Sequence, residues 1–508
     1  MTVQGVRWTS EQVLSLAPDE ASRKAGSKLG GAGPWSQTGG SGSGAVWGVC
    51  KGSGRTPYRT VVDLTGPAYQ CSCPSRKFPC KHALGLLLRW AAEDGAVPEG
   101  DGPAPDWAAE WLAARAAREA QRKDTAAGRG PADPEAARRR ADRRAGRIGA
   151  GVLELEQRLA DLLRTGLAGQ EQAGYAAWEE TAARMVDAQA PGLAARVREL
   201  GTIPSSGPGW PVRMLEECAL LHLLDRAWLA RDGLPAPLAA TVRTRVGLPG
   251  APAGEPVRDR WQVLAQYDTV SPDGRLTTRR LWLRGTTTAR TALLLDYAPA
   301  GRPPQLSLPT GLLLDAEATF HEGSAGLRAE LGERFGVTGW PPADDPTLLA
   351  GAPAGGRDRS DGGAGADPLA GAAAGGRPRP DGGAGVGGGA VAGTSAGGGG
   401  WAGGGAGVPP GVSTGAALAA YGEALRADPW LDSWPVVLAG VVPVPGEPVW
   451  QLADADGGAA VPVRGAVPWR LAAVSGGGPL TVFGECGHQG FRPLTAWAPD
   501  SPDPVPLP

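Results

Sequence analysis

The dodecapeptide CSCPSRKFPCKH crowds Cys71, Cys73, Cys80 and His82 together in the spacing C-x-C-x6-C-x-H. Three thiolates and an imidazole complete a tetrahedral zinc shell and leave no open position for a substrate, so the chemistry expected is structural. Within each pair the ligands stand two apart. The chain must therefore bend at both pairs, and Pro74 and Pro79 stand where such bends are needed. One Zn2+ on three thiolates and a neutral imidazole leaves about one negative charge, which Arg76, Lys77 and Lys81 can offset. A disulfide framework and a redox dithiol at Cys71 and Cys73 are the competing readings. The first needs an oxidising compartment, yet MTVQGVRWTSEQVLSLAPDE has neither an apolar h-region nor a small-residue cleavage signal. The second needs the metal removed.

Elements must carry these ligands. AVWGVC (Ala45 to Cys50) and YRTVVDL (Tyr58 to Leu64) read as two short strands joined by the loop KGSGRTP. From His82 the stretch HALGLLLRWAA reads as an apolar helix, with Cys80 just before its first turn. Such a ββα unit is too small to hold itself by burial alone, so the metal supplies much of its folding energy. Upstream, Thr9 and Gln12 match a capping box, and EQVLSL and PDEASRKAGSKL predict two short helices that pack on the zinc unit.

The string GSGRTPYRTVVDLTGPAYQCSCPSRKFPCKHALGLLLRW resembles the SWIM-type zinc finger, in its bacterial branch, with all four ligands of that family present as Cys71, Cys73, Cys80 and His82. The likeness covers roughly residues 30 to 92. It implies one structural zinc ion in a non-catalytic module that binds DNA or proteins. Bacterial relatives often accompany AAA+ ATPases and von Willebrand A-domain proteins, so the resemblance also implies an assembly role.

Over 508 residues the net charge is −2, and no apolar run reaches the length of a membrane span, so the expectation is a soluble, cytoplasmic protein with no membrane partner. Only six of the 50 basic residues are lysine, and Gly 80 with Pro 48 marks a compositional bias that discounts Gly-rich motifs. The fold class expected is multidomain α+β: a small zinc-stabilised ββα module, a helical middle, antiparallel β regions and a disordered Gly-rich linker. Boundaries are expected at 1–95 for the N-terminal helices and finger (core 45–92), 96–148 for a basic helical or linker segment, and 149–250 for a helical domain. A mostly β domain at 255–345, the linker at 346–412 and a small Trp-rich β domain at 413–508 complete the chain. In that last domain GAALAAYGEALRADPW predicts a helix, and SWPVVLAGVVPVPG, VWQLADADG, PWRLAAV and LTVFGE predict strands. Its tryptophans either fill a core or line a groove.

Other chemical signals are weaker. Cys218 and His222 stand four apart on a predicted helix, which could hold half a metal site or form a buried face. His321-Glu322 begins an H-E-x-x-H motif that fails at Ala325, and Cys486 with His488 lacks a second pair. GTSAG (Gly393 to Gly397) has the letters of a nucleophile elbow without the strand and helix it needs, and no phosphate-binding loop occurs. No enzyme is expected. The first 150 residues carry a surplus of about seven positive charges, concentrated at Arg138, Arg139, Arg140, Arg143, Arg144 and Arg147. Those arginines, with Arg76, Lys77 and Lys81, are the candidate contacts for nucleic acid, DNA first. A solvated linker is the competing reading for the arginine cluster. An adaptor for an AAA+ ATPase and von Willebrand A-domain assembly, free of nucleic acid, is the alternative function. Nothing in the sequence indicates an oligomeric state.

Overall fold

Thr9 and Gln12 cap each other's backbone N–H at the head of α1 (Ser10–Ser15), accepting at 3.2 and 2.9 Å. Asp19 caps α2 (Glu20–Ser27). These helices belong to a computed structural model that describes residues 8–338 and 407–507, apart from 42–43, 53–55, 66–67, 76, 93–96, 101–102, 128–132, 174–175, 249, 251, 272–273, 301, 303 and 324–325. Arg76, the GTSAG string and the expected linker as far as residue 406 lie outside the described residues.

After α2 the chain forms β1 (Trp35–Ser41), β2 (Ala45–Cys50), β3 (Tyr58–Asp63), β4 (Ala68–Cys71), α3 (Lys81–Ala91) and β5 (Glu99–Gly100). The predicted hairpin β2–β3 is thus the centre of a larger sheet, ordered β4-β3-β2-β1-β5. All six residues of β2 are buried because both faces are covered. Val46 meets the α3 side, while Ala45 and Trp47 meet Ala108 of α4 (Asp106–Ala127).

Asp133 caps α5 (Pro134–Thr165), accepting from Ala136 N–H at 2.9 Å, and Pro134 occupies its first turn. Basic stretch and bundle helix are one continuous element of 32 residues. From Ile148 onward Val152, Leu155, Leu159 and Leu162 recur every three or four residues and are buried. After the short α6 (Gln170–Ala173), they pack with α7 (Ala176–Asp187), α8 (Pro191–Leu200), α9 (Trp210–Leu229) and α10 (Ala236–Arg245) around Trp178, Met185, Met214 and Trp228.

Five strands follow: β6 (Val257–Val270), β7 (Leu276–Gly285), β8 (Thr291–Pro299), β9 (Leu313–Phe320) and β10 (Ala329–Thr338). They form an antiparallel sheet ordered β10-β9-β6-β7-β8. One face of it shares a core with the N-terminal module, where Trp261, Val263 and Leu314 join Leu84, Leu87 and Trp90 of α3. Its other face, through Leu264, Tyr267 and Trp282, meets Phe483, Leu494 and Trp497 of the C-terminal sheet.

That third sheet, ordered β13-β12-β11-β14-β15-β16, comprises β11 (Trp434–Val444), β12 (Gln451–Asp454), β13 (Ala460–Pro462), β14 (Leu480–Gly487), β15 (Gly490–Trp497) and β16 (Pro504–Pro506). The helix α11 (Thr414–Ala427) forms as the sequence predicts, and it packs on this sheet. PWRLAAV does not form the expected strand. Residues Trp469–Ser475 make a helix, α12, which follows Pro468 and ends at Gly476 in the left-handed region (φ 55°). Seven residues with apolar Leu471 and Val474 one turn apart satisfy a helix, and periodicity in so short a run does not separate the two states. Among the described residues no helix is long and apolar enough to cross a membrane.

Candidate metal centre

Cys71 ends β4 and Cys73 lies in the turn after it. The chain then passes Pro74 and the cis Phe78–Pro79 bond and delivers Cys80 to the N-cap position of α3, with His82 one residue inside the helix. An α-helix would turn positions 80 and 82 away from each other. Cys80 escapes this because its backbone is extended (φ −74°, ψ 166°) and lies outside the helical rise.

One donor atom from each of the four residues lies within 4.8 Å of the other three. Cys71 Sγ is 3.6 Å from His82 Nδ1, the separation of about 3.6 Å that a sulfur at about 2.3 Å and a nitrogen at about 2.05 Å make on one tetrahedral ion. Cys80 and His82 are buried, and Cys71 and Cys73 are half-buried. The four residues fit one zinc ion.

Proton balance agrees with that fit. The hydrogen bond with the Cys80 thiol holds Cys71 down at about 4, while the same interaction and burial push Cys80 up, and burial pushes Cys73 up. Without a cation one thiolate is held by its protonated neighbours. A divalent ion would take the place of those protons, so binding releases them and weakens as pH falls.

Two residues around the cluster had no signal in the sequence. Thr60 faces Cys71 across the β3–β4 ladder and brings Oγ1 to 3.2 Å from its sulfur. The Tyr58 ring lies 4.8 Å from the His82 ring, centroid to centroid, and fixes its plane. The Thr60 contact depends on β4 and its register, where no strand was expected, and the Tyr58 contact on how α3 packs against β3. Cys50, also buried, is directed to the Lys51 carbonyl at 3.8 Å and lies outside the ligand set.

The candidate basic contacts are dispersed. Lys77 Nζ lies 2.6 Å from the Asp19 carboxylate, whose pKa falls to about 2, first through that hydrogen bond and then through the Ser22 backbone N–H. Lys81 is exposed beside the centre. On α5, at roughly 100° per residue, Arg139, Arg143, Arg147, Arg140 and Arg144 fall within an arc of about 140°, with Arg138 opposite. Arg139 pairs with Glu135 at 3.1 Å, and Arg144 and Arg147 hold Gln189 at 3.4 and 2.6 Å. Arg138, Arg140 and Arg143 are exposed without a hydrogen-bond or ion-pair partner among the described residues.

The other histidines have structural roles. Cys218 is buried, while His222, one turn on, has an exposed side chain that reaches Glu156, so the two do not come together as a ligand pair. His321 Nδ1 meets the Gly250 carbonyl at 3.0 Å and Nε2 the Glu330 carboxylate at 3.2 Å. His488 meets the Tyr421 hydroxyl at 3.5 Å.

Residues 58–91, spanning β3, β4, all four donors and α3, match the family SWIM zinc finger. Residues 143–246, from within α5 through α10, match the family SWIM-associated four-helix bundle domain. No curated protein and no solved structure matches the chain.

Proposed function

Because the chain is a SWIM-type zinc finger protein, we propose that it is a non-enzymatic, cytoplasmic interaction protein that holds nucleic acid, DNA first, on the arginine face of α5, with the zinc module as a rigid support. The observation that carries this reading is the pair of exposed, unpartnered guanidinium groups at Arg140 and Arg143 on that face of a regular helix, Arg138 lying on the opposite side. Held at helical spacing, they meet successive phosphates with little ordering cost and release counterions on binding. A closed Cys3His shell has no position at which to bind and polarise a substrate, which supports a role without catalysis.

Full-length protein should bind duplex DNA at low salt, with affinity falling steeply as salt rises. The double variant Arg140→Ala, Arg143→Ala should lower the slope of log K against log salt by about two, close to one for each phosphate that is no longer neutralised. No binding at low salt would sink the reading.

The exposed aromatic surface of the C-terminal domain favours a second reading, an adaptor for an AAA+ ATPase and von Willebrand A-domain assembly. Trp469 is 69 % exposed and stands edge-on to Trp450 at 5.5 Å, with Val467 and Val449 also exposed. This reading expects co-purification of such proteins from the native host that survives nuclease and is lost in Trp469→Ala.

A further inference from the structure

The middle sheet closes on itself. Leu293 of β8 donates its N–H to the Leu327 carbonyl at 2.7 Å and forms a parallel bridge with Arg328, the residue before β10. The circular order is therefore β6-β7-β8-β10-β9, antiparallel everywhere except between β8 and β10. The long β6 permits this, since Val257 to Gln262 pair with β9 and Trp261 to Val270 with β7, with a register shift between Val263 and Ala265. Five strands in this order make the partly open Greek-key barrel that holds oligonucleotides and oligosaccharides on its second and third strands, here β7 and β8.

Register sets the rungs on the outer face of β6, β7 and β8, because paired residues share a face and alternate residues return to it. The rung of Ala265, Trp282 and Leu293 lies under the C-terminal sheet. Tyr267, Arg280 and Leu295 form the next, and Thr269, Thr278 and Tyr297 the one after. That last rung stands open: Tyr297 is 49 % exposed and Leu276, two residues before Thr278, 38 %. Its surroundings are cationic. Half-buried Arg280 has no hydrogen bond or ion pair among the described residues, and its Nε is buried without a partner. Arg492 of β15 lies over the Tyr267 ring at 4.3 Å, 3.8 Å from Glu485, with 40 % of its side chain exposed. Asp268 and Asp296 fall on the opposite side of the sheet, where they hold Arg279 and the Leu306 N–H. We propose that this open end of the barrel face binds single-stranded nucleic acid, one base stacking on Tyr297 and the backbone phosphates meeting Arg280 and Arg492. A neutral oligosaccharide would leave those cations unmatched. A duplex keeps its bases stacked inside and offers the tyrosine no free ring face, so the ligand is a single strand. The site differs from the α5 face in residues and in ligand, and does not rest on that reading.

Fluorescence anisotropy of the full-length protein, with a labelled oligothymidylate and with a duplex of the same length, tests this. Tyr297→Ala should weaken single-strand binding roughly 5- to 150-fold, the range for one base stacked on an aromatic ring. Tyr297→Phe keeps the ring and should bind as the wild type does. Duplex affinity should move in neither. The double variant Arg140→Ala, Arg143→Ala should keep the dependence of single-strand binding on Tyr297 whatever happens to the duplex, so the two sites fail separately. No single-strand binding at low salt would overturn the proposal, as would single-strand affinity unchanged in Tyr297→Ala. A loss shared equally by the duplex or by Tyr297→Phe would overturn it too.

Discussion

At the scale of single residues the metal centre depends on three sulfurs and one nitrogen arriving with their protons removed. Cys71 is the thiol prepared for this, since the Cys80 thiol stabilises its charge and Thr60 approaches its sulfur. Cys73 and Cys80 are pushed the other way, Cys73 by burial and Cys80 by the hydrogen bond with Cys71 and burial, and a bound cation would favour their ionised forms. Cys73→Ser or His82→Ala should therefore abolish zinc retention at this centre, and amide exchange should show residues 58–91 losing protection together. Chelation of the wild type should reproduce the loss, because binding free energy at such a site is folding free energy. A module that stays protected under chelation would refute that coupling.

Among elements, α3 has the largest share of the work. Its N-terminus places Cys80 and His82, and Leu84, Leu86, Leu87 and Trp90 bury the rest of it. It approaches the N-terminal helices so closely that a Cβ on Gly85 would come within 2.6 Å of Leu29 Cβ, and one on Gly26 of α2 within 2.7 Å of Leu84 Cβ. Alanine favours a helix interior over glycine by up to about 1 kcal/mol. Gly85→Ala should nevertheless destabilise the protein by about 1–3 kcal/mol, since overpacking outweighs propensity, and urea unfolding would measure it. The element α5 illustrates the opposite case. Its basic half buries little, so its order comes from the Asp133 cap and from continuity with the apolar half that begins at Ile148.

At the scale of the molecule, side chains distant in sequence join the regions. Trp430, after α11, is 2 % exposed inside the helical bundle and donates Nε1–H to the Leu220 carbonyl at 2.9 Å. Beside it Arg245 of α10 holds the buried Asp428 at 2.5 Å. Between the second and third sheets, buried Glu485 accepts from the Tyr267 hydroxyl at 2.5 Å and from Trp282 Nε1–H at 3.0 Å. Trp430→Ala should cost about 3–5 kcal/mol, the range for a large buried aromatic. It should lower the midpoint of helix loss and sheet loss alike if the bundle and C-terminal domain unfold as one unit, and thermal melts followed in the far ultraviolet and by tryptophan fluorescence would read both.

By itself the sequence determined what local rules govern: the ligand identities, the capping box at Thr9, the central hairpin, the helix after Cys80 and the apolar repeat of the bundle. Each rests on spacing within about a dozen residues, where chain geometry leaves few choices. Tertiary structure alone decided that α12 is a helix, that β1 and β4 flank the hairpin, that Tyr58 and Thr60 surround the ligands, and that the His222 side chain reaches Glu156 while Cys218 is buried. Those outcomes depend on which distant segments pack together, and the free energy of that packing is absent from any local pattern.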